Sequence, residues 1–579
     1  MVSLDALGIE YNLKYSSLKD DYLSVYEREI SRKFNSRFKL LIITNENIDA
    51  ISNTYSKKYF DAKILIMSYG NINITTAKQS NVQHLIFNDL DKLIKYAELN
   101  TFDVVIEHSS NRKSHKLKLL RKIFFRVSDG GLYFIQELHA KFIPALVDCD
   151  GPDVLDLVNE VSTLKIADNE TIKKADSYAV AIAECCESIF LKGKLGLLVK
   201  DKVSLKGIRN DQAKSLIESG KLHGEIIISN NNSYEFTHSI SSVINGLQVP
   251  WRNPSKFKIP ESFLAKYYHV CCEVGQVVHK DGLILPDSFR MQYHKKLANR
   301  NLVSLVDDYF LLKNKNSQSH YLPGEFFYLD SEFPGHFGHF TSEIVSRLWA
   351  WDEVKKASPN AKVLIGLEKG KLLPSFAETI LACYGIKKED IQTFDNNITV
   401  DVLYAATPYY VIGNHINPSI KDVWEKIGDK TNDGTCGIVG KKLFIARPEG
   451  GGRKCLNPER LEQIFLDNGF EFYNPEKHSW KDQVKTFSEA DIIAGYAGSG
   501  TFNAMFAKGI KKLFIIGSDS YTATNEHYIC SIKGFDLTYF LGSSLIKQVN
   551  GFSVKAFMSD YNFDYERDED ALVDALSKL

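Results

Sequence analysis

The chain has 579 residues, 44% of them hydrophobic and 25% charged, with a formal net charge of −1. That length exceeds what one core can hold and calls for two to four domains. The near-zero charge excludes a global field that would recruit nucleic acid or an anionic membrane, and basic runs such as Lys116–Lys122 alternate with apolar residues as a solvated helix face does. The N-terminal residues lack a basic stretch followed by an apolar one, so no secretory signal is expected. No run reaches the roughly 18 apolar residues of a membrane helix. A cytoplasmic protein is therefore expected. Nine cysteines are scattered without CxxC or zinc-like Cys/His spacing, which points to reduced, buried thiols and no structural metal.

In chain order, strands are expected at 38–44, 62–67, 82–87, 102–107 and 130–136, with helices at 89–97 and 116–127 among them. Short apolar strands alternating with helices predict a doubly wound α/β sheet. The stretch FDVVIEHSSNRKSHKLKLLRKIFFRVSDGGLYFIQELH, Phe102 to His139, resembles the second half of a class I S-adenosylmethionine methyltransferase. Two features of that family are missing. The first strand runs into Ile42-Ile-Thr-Asn-Glu-Asn-Ile-Asp49, which has no glycine to let a cofactor approach the backbone. The second runs into Ser68-Tyr-Gly-Asn71, without the acidic residue that would hold a ribose. A degenerate methyltransferase-like domain, used for assembly or acceptor docking, is the reading this supports. A helix is expected over 169–190 and a strand over 224–229, completing a first domain at 1–247. Three prolines between Val249 and Pro260 mark a linker at 248–260.

Beyond it, strands are expected at 268–278, 282–285, 361–366 and 404–412, with helices at 335–351 (after a His/Gly loop) and 372–384. A second α/β unit then runs through strands at 442–446, 470–473, 491–494 and 512–516, with helices at 458–468 and 480–490. Two lobes are expected, 261–430 and 431–579, with a ligand at the carboxyl ends of their strands.

Three stretches carry chemistry. In PGHFGHFTSEIVSRLW, Pro334 to Trp349, His339 and Glu343 share a helix face that Arg347 extends. A histidine beside a carboxylate serves as a general base and its orienter, or else as a helix cap beside a surface ion pair. His336 and Asp330 are reserve candidates. In ARPEGGGRKCLNPERL, Arg447 ends a strand, glycines precede Arg453, and Asn457 opens a helix. Guanidinium forks suit a diphosphate, and a flexible solvated hairpin is the plain alternative. In GYAGSGTFN, Gly495 to Asn503, a Gly/Ser/Thr turn between strand and helix suits an anion, although a tight turn needs no ligand.

Taken in order, GHFTSEIVSRL, ARPEGGGRKCLNPERL, NGFEFYNPEKHSWKDQVKTF and ADIIAGYAGSGTFNAMF resemble glycosyltransferase family 61 over about 267–534. Tyr496 stands where that family usually has His, Ser499 replaces Ala and Asp482 replaces Glu. The resemblance implies a GT-B pair of Rossmann-like lobes, inversion at the anomeric carbon, and no Asp-x-Asp metal site. It implies a nucleotide-sugar donor, a UDP-sugar, with no further cofactor. Arg447, Arg453 and the Gly498, Ser499, Gly500 and Thr501 turn would cradle the diphosphate. Asn474 and Glu476 would meet the base, with Asn457, His336 and Arg347 in support. Asn503 and Gln483 would brace the turn, and His339, then Glu343, would be the catalytic base. A glycan acceptor in bacterial surface polysaccharide synthesis is expected, as is peripheral association with membrane-bound polysaccharide machinery. Homo-oligomerisation through the N-terminal domain is expected too. The competing readings are a bifunctional methyltransferase-glycosyltransferase and a non-catalytic sugar-nucleotide or glycan-binding assembly protein.

Overall fold

A computed structural model describes residues 2–35, 37–70, 72, 79–108, 112–230, 232–245, 253–313, 319–431, 441–447 and 452–579. The chain folds into two compact units. One is built from Met1–Arg209, His279–Pro286 and Lys296–Asn316, the other from Asn210–Val278, Asp287–Lys295 and Ser317–Leu579. Among the described residues no helix is long and apolar enough to cross a membrane.

The first unit holds a seven-stranded sheet. Its strands are β1 (Lys39–Ile43), β2 (Lys63–Tyr69), β3 (Val82–Phe87), β4 (Phe102–Glu107), β5 (Val127–Ile135), β6 (Cys186–Lys192) and β7 (Leu195–Lys200), in the order β3-β2-β1-β4-β5-β7-β6. β1 to β5 are parallel, and the hairpin β6–β7 adds antiparallel to β5. Period-2 alternation splits the strand residues between two cores. Leu40, Ile42, Val104 and Ile106 face one, and Leu41, Ile43, Val105 and Tyr133 the other. This is the doubly wound sheet the alternation of elements predicts.

The expected helix over 169–190 is instead two helices and a strand, Asn169–Lys174, Ser177–Cys185 and β6. Asp176 stops the first and caps the second, accepting from the N–H groups of Tyr178 and Ala179. Past Cys185, the alternating Ser188-Ile-Phe-Leu191 pairs with β7 through the Gly193 turn, whose φ is +58°.

In the second unit, a first lobe orders strands Gly224–Asn230, Ser262–Glu273, Ile398–Ala406, His320–Tyr328, Lys362–Gly366 and Ile391–Phe394 side by side. The second lobe's sheet is parallel along its main path, with Tyr561–Asn562 pairing antiparallel to Asp536–Ser544 off that path. Phe470–Tyr473, Lys441–Ile445, Ala490–Tyr496, Lys512–Ser518 and Asp536–Ser544 lie in that order, and Ser242–Ile244 closes the far edge. The α/β class with a pair of Rossmann-like lobes is thus as the sequence indicates. Residues 210–245, expected in the first domain, lie in the second unit because their strands pair with partners remote in sequence. Of the expected linker, residues 248–252 lie outside the described residues.

The run Phe337–Ala357 is helical throughout but changes pitch. An α-turn (Phe337–His339) passes into a π-turn (Phe340–Ile344), a 3₁₀ stretch (Val345–Ala350) and an α-helix (Trp351–Ala357). Such π insertions gather at functional sites. Its apolar side, with Phe340, Ile344 and Leu348, shares one core with Phe502, Met505 and Phe506 of the second lobe.

Candidate active site

Strands Lys441–Ile445 and Ala490–Tyr496 run parallel, with Ile445 opposite Gly495. Their carboxyl ends deliver Arg447 and the Gly498 turn to one place, as an open parallel sheet does. A cleft of about 580 Å³ opens there. Arg447, Arg453, Gly498, Ser499, Gly500, Asn503 and Glu476 line it from the second lobe, and Phe337, Ser375 and Phe376 from the first.

Gly498 has a φ of +144°, open to glycine and strained for other residues. A Cβ there would lie 3.4 Å from an Arg453 nitrogen and 3.7 Å from Arg447 Nη1. The glycine thus lets two guanidinium groups converge on bare backbone. Arg447 donates from Nη1 to the Ala497 carbonyl at 3.0 Å. Arg453 lies over the rings of Tyr521 and Phe557, 5.1 and 5.0 Å from their centroids. The Nε atoms of both are buried without a hydrogen-bond partner, and among the described residues neither has a carboxylate within ion-pair distance. Burial, then the charge of Arg453, pulls Arg447 below the ordinary guanidinium range. Two half-buried cations with no ion-pair partner among the described residues carry a free-energy cost that an anion would relieve.

The turn is narrower as a cradle than its sequence suggests. The Gly498 N–H donates to Glu526 Oε1 at 3.1 Å, and Thr501 turns inward, its hydroxyl donating to the Gly498 carbonyl at 3.1 Å. Thr501 therefore does not line the cleft. Ser499 and Gly500 open a 3₁₀ turn, where N–H groups have no partner within the turn itself. Glu526, fully buried, also accepts from the Tyr521 hydroxyl at 2.9 Å, and burial raises its carboxyl above the usual range. It fixes the turn from behind.

Asn503 accepts from Trp480 Nε1 at 3.0 Å and donates to Gln483 Oε1 at 2.7 Å. Gln483 in turn donates to the carbonyls of Pro475 and His478, at 2.7 and 3.0 Å. This chain ties the Gly498 turn to the Pro475–Lys477 turn. Glu476 lines the cleft and Asn474 does not. Tyr496 lines it too, but its hydroxyl donates to Glu462 at 2.8 Å, away from any phosphate. Asn457 is elsewhere: its amide exchanges bonds with the Phe563 backbone at 2.8 and 2.9 Å and holds the C-terminal segment. Gly450 and Gly451 lie outside the described residues.

On the first lobe, a Cβ on Gly338 would lie 3.0 Å from Ser499 Cβ, so this glycine seats the helix start against the turn. His339 follows. Its Nδ1 lies 3.0 Å from Glu343 Oε1 and 3.1 Å from Arg290 Nη2. Arg290 grips Glu343 with both arms of its fork, Nε to Oε2 at 2.7 Å and Nη2 to Oε1. Burial alone would raise the Glu343 carboxyl. The bond to His339 and the charge of Arg290 outweigh it and hold the carboxyl at about 2. An ionised Glu343 only accepts, so we assign the Nδ1 proton to it, which leaves Nε2 with a free lone pair. Phe333 stacks on the imidazole, ring centres 4.6 Å apart, and the Arg290 guanidinium lies over the Phe333 ring, 5.1 Å from its centroid. His336 caps the turn, accepting from the His339 N–H at 3.4 Å.

Asp330, a reserve candidate, and Arg347, a supporting one, both make structural contacts. Asp330 is fully buried and accepts from the N–H groups of Gln276 and Ser331 at 3.0 and 2.8 Å. Arg347 is buried with one nitrogen on the Glu343 carbonyl at 3.3 Å. Sequence reading missed Arg290, Glu526, Phe376 and His478. Arg290 and Glu526 reach the site across long sequence separations and carry no local signal. His478, two residues past Glu476, was within reach of the same motif.

Residues 337–511 match the family model Glycosyltransferase 61. No curated protein matches the chain. Among solved structures, the MycE methyltransferase from the mycinamycin biosynthetic pathway, in complex with Mg, SAH and mycinamycin VI, is 16% identical. That match covers 34% of this chain and 55% of that one, with a TM-score of 0.29. MNMC2 from Aquifex aeolicus is 10% identical over 33% of this chain and 61% of its own, with a TM-score of 0.19. The chain thus spans little more than half the length of these structures. The histidine-bearing turn and the arginine-lined cleft both fall within 337–511, the stretch that is similar to glycosyltransferase 61.

Proposed function

We propose that the protein moves a sugar from a nucleotide-sugar, a UDP-sugar, to a hydroxyl of a glycan acceptor, with inversion and without a metal ion. The observation that carries this is the pair Arg447 and Arg453, convergent on Gly498 and without an ion-pair partner among the described residues. Fixed cations of this kind take the charge that develops on a departing diphosphate. As the acceptor oxygen bonds to the anomeric carbon, the bond to the donor phosphate oxygen breaks and its electron pair stays with the nucleoside diphosphate. His339 Nε2 takes the acceptor proton. The imidazolium so formed is stabilised by ionised Glu343, which Arg290 keeps in place. In this scheme Glu343 is the orienter and Arg290 a positioning residue. We place the reaction in the cytoplasm, in the synthesis of a bacterial surface polysaccharide, with the first unit serving assembly.

A thermal-shift screen of nucleotide-sugars, followed by release of UDP with candidate acceptors, tests the proposal. Stabilisation by UDP and turnover that vanishes in His339→Ala are expected. Nucleotide binding with no turnover towards any acceptor would leave a binding protein in its place.

A further inference from the structure

The segment Leu545–Met558 follows the last long strand of the second lobe. Six of its side chains, Leu545, Ile546, Val549, Phe552, Val554 and Met558, are large, apolar and between 42% and 69% exposed. It contains no acidic residue, while Lys547 and Lys555 are exposed on it. The segment is a built protrusion. Leu545 N–H donates to the Asp560 carbonyl and Ile546 N–H to Ser559 Oγ, both at 2.9 Å, and Gln548 and Ser553 bond each other across it. Asn550 and Gly551, with φ of 56° and 112°, turn its tip. Its inner side faces the cleft wall: Phe557 stacks on Tyr521 at 5.3 Å and lies beside Arg453.

A contiguous exposed apolar surface marks an interaction site. We propose that Leu545–Met558 inserts into the headgroup layer of an anionic lipid bilayer. Charge decides the partner first. Lys555 has no carboxylate partner among the described residues, and Lys547 pairs only with Asp519, so the apolar tip carries positive charge with no negative charge of its own. Apolar side chains flanked by lysines that reach outward suit a phospholipid surface. Shape decides it second. A stable dimer calls for about 800 Å² and some 20 to 30 residues on each partner, more than one turned protrusion presents. The side that inserts and the side that walls Arg453 belong to one element, so docking would set the cleft beside the lipid surface. This holds whether or not the proposed transfer is correct.

The full chain is to be sedimented with sucrose-loaded vesicles of phosphatidylcholine, with and without phosphatidylglycerol. Binding to the anionic vesicles alone is expected, weakening as salt rises. Val549→Ser with Phe552→Ser should lower the bound fraction at least about tenfold, and Lys555→Gln about fivefold, with Tm unchanged because these side chains are exposed. Absence of vesicle binding, or binding undiminished in these variants, would overturn the proposal. So would a wild-type dimer in solution that the same variants make monomeric, since the patch would then cover a second copy.

Discussion

The first unit's sheet and the second lobe's sheet both end in charge, but they treat it in opposite ways. At the end of β4, Glu107 is buried and paired with Lys116 at 3.2 Å, both side chains at most 1% exposed, and Lys116 also reaches the Gln136 carbonyl at 2.8 Å. Beside it His108, which burial pushes down to about 3, contacts the Tyr15 hydroxyl at 3.3 Å. Just outside these strand ends, where an open sheet binds ligand, Tyr15 from the N-terminal residues packs on His108 with ring centres 4.9 Å apart. In the second lobe, Arg447 and Arg453 have no such partner among the described residues. One sheet end neutralises its own charge, and the other leaves two guanidinium groups without an ion-pair partner among the described residues.

The sharpest way to break this contrast is to remove the open charge. Arg447→Gln with Arg453→Gln should lower kcat by on the order of 10²–10³ or more and abolish the UDP thermal shift, whereas Lys356→Ala should change neither. Retained turnover would mean that the cations are structural. In the first unit, Lys116→Met strands a buried carboxylate and should cost about 3–5 kcal/mol in urea denaturation. Adding Glu107→Leu should recover most of that loss, and a neutral Lys116→Met would show that the pair does not close the site.

Two buried groups sharpen the contrast by pH. Burial raises Asp330 in the second unit to about 7, so the stability it contributes is present below the unfolded carboxyl range and is lost as pH rises from about 4 through 7. Burial lowers Lys200 in the first unit to about 7, so its contribution is lost as pH falls from about 10 through 7. Asp330→Asn should flatten the acid-side dependence and Lys200→Met the alkaline one, each by at most about 1.4 kcal/mol per pH unit. Curves parallel to wild type would refute the assignments. The smallest expected effect is none: titration with S-adenosylmethionine should give no heat, and measurable binding would reopen the first unit as a cofactor site.

Much of this was legible in the residues. Alternating strands and helices gave both Rossmann-like sheets, and Arg447, Arg453, Gly498 and Glu476 meet as their motifs suggest. What was hidden depends on pairing across the chain. Arg290 belongs to no motif, yet it helps hold the Glu343 carboxyl ionised. Asn457 looked like a ligand residue because it opens a helix beside a glycine-rich stretch, but its amide closes on Phe563. Thr501 and the Gly498 N–H are taken by neighbours that only the folded turn brings near.

Ser242–Ile244 lies between two first-lobe strands in sequence, Gly224–Asn230 and Ser262–Glu273, but is the edge strand of the second lobe, in register with Leu537–Tyr539. Asn245 adds two bonds, its N–H to the Tyr539 carbonyl at 2.6 Å and its Oδ1 to the Leu541 N–H at 2.7 Å. A fragment cut at the lobe boundary would expose the unpaired edge of Asp536–Ser544, an invitation to intermolecular strand pairing. During synthesis that early strand must also wait, unpaired, for the last part of the chain to emerge. Expression of the catalytic half should therefore begin ahead of Ser242, and shorter fragments are expected to aggregate.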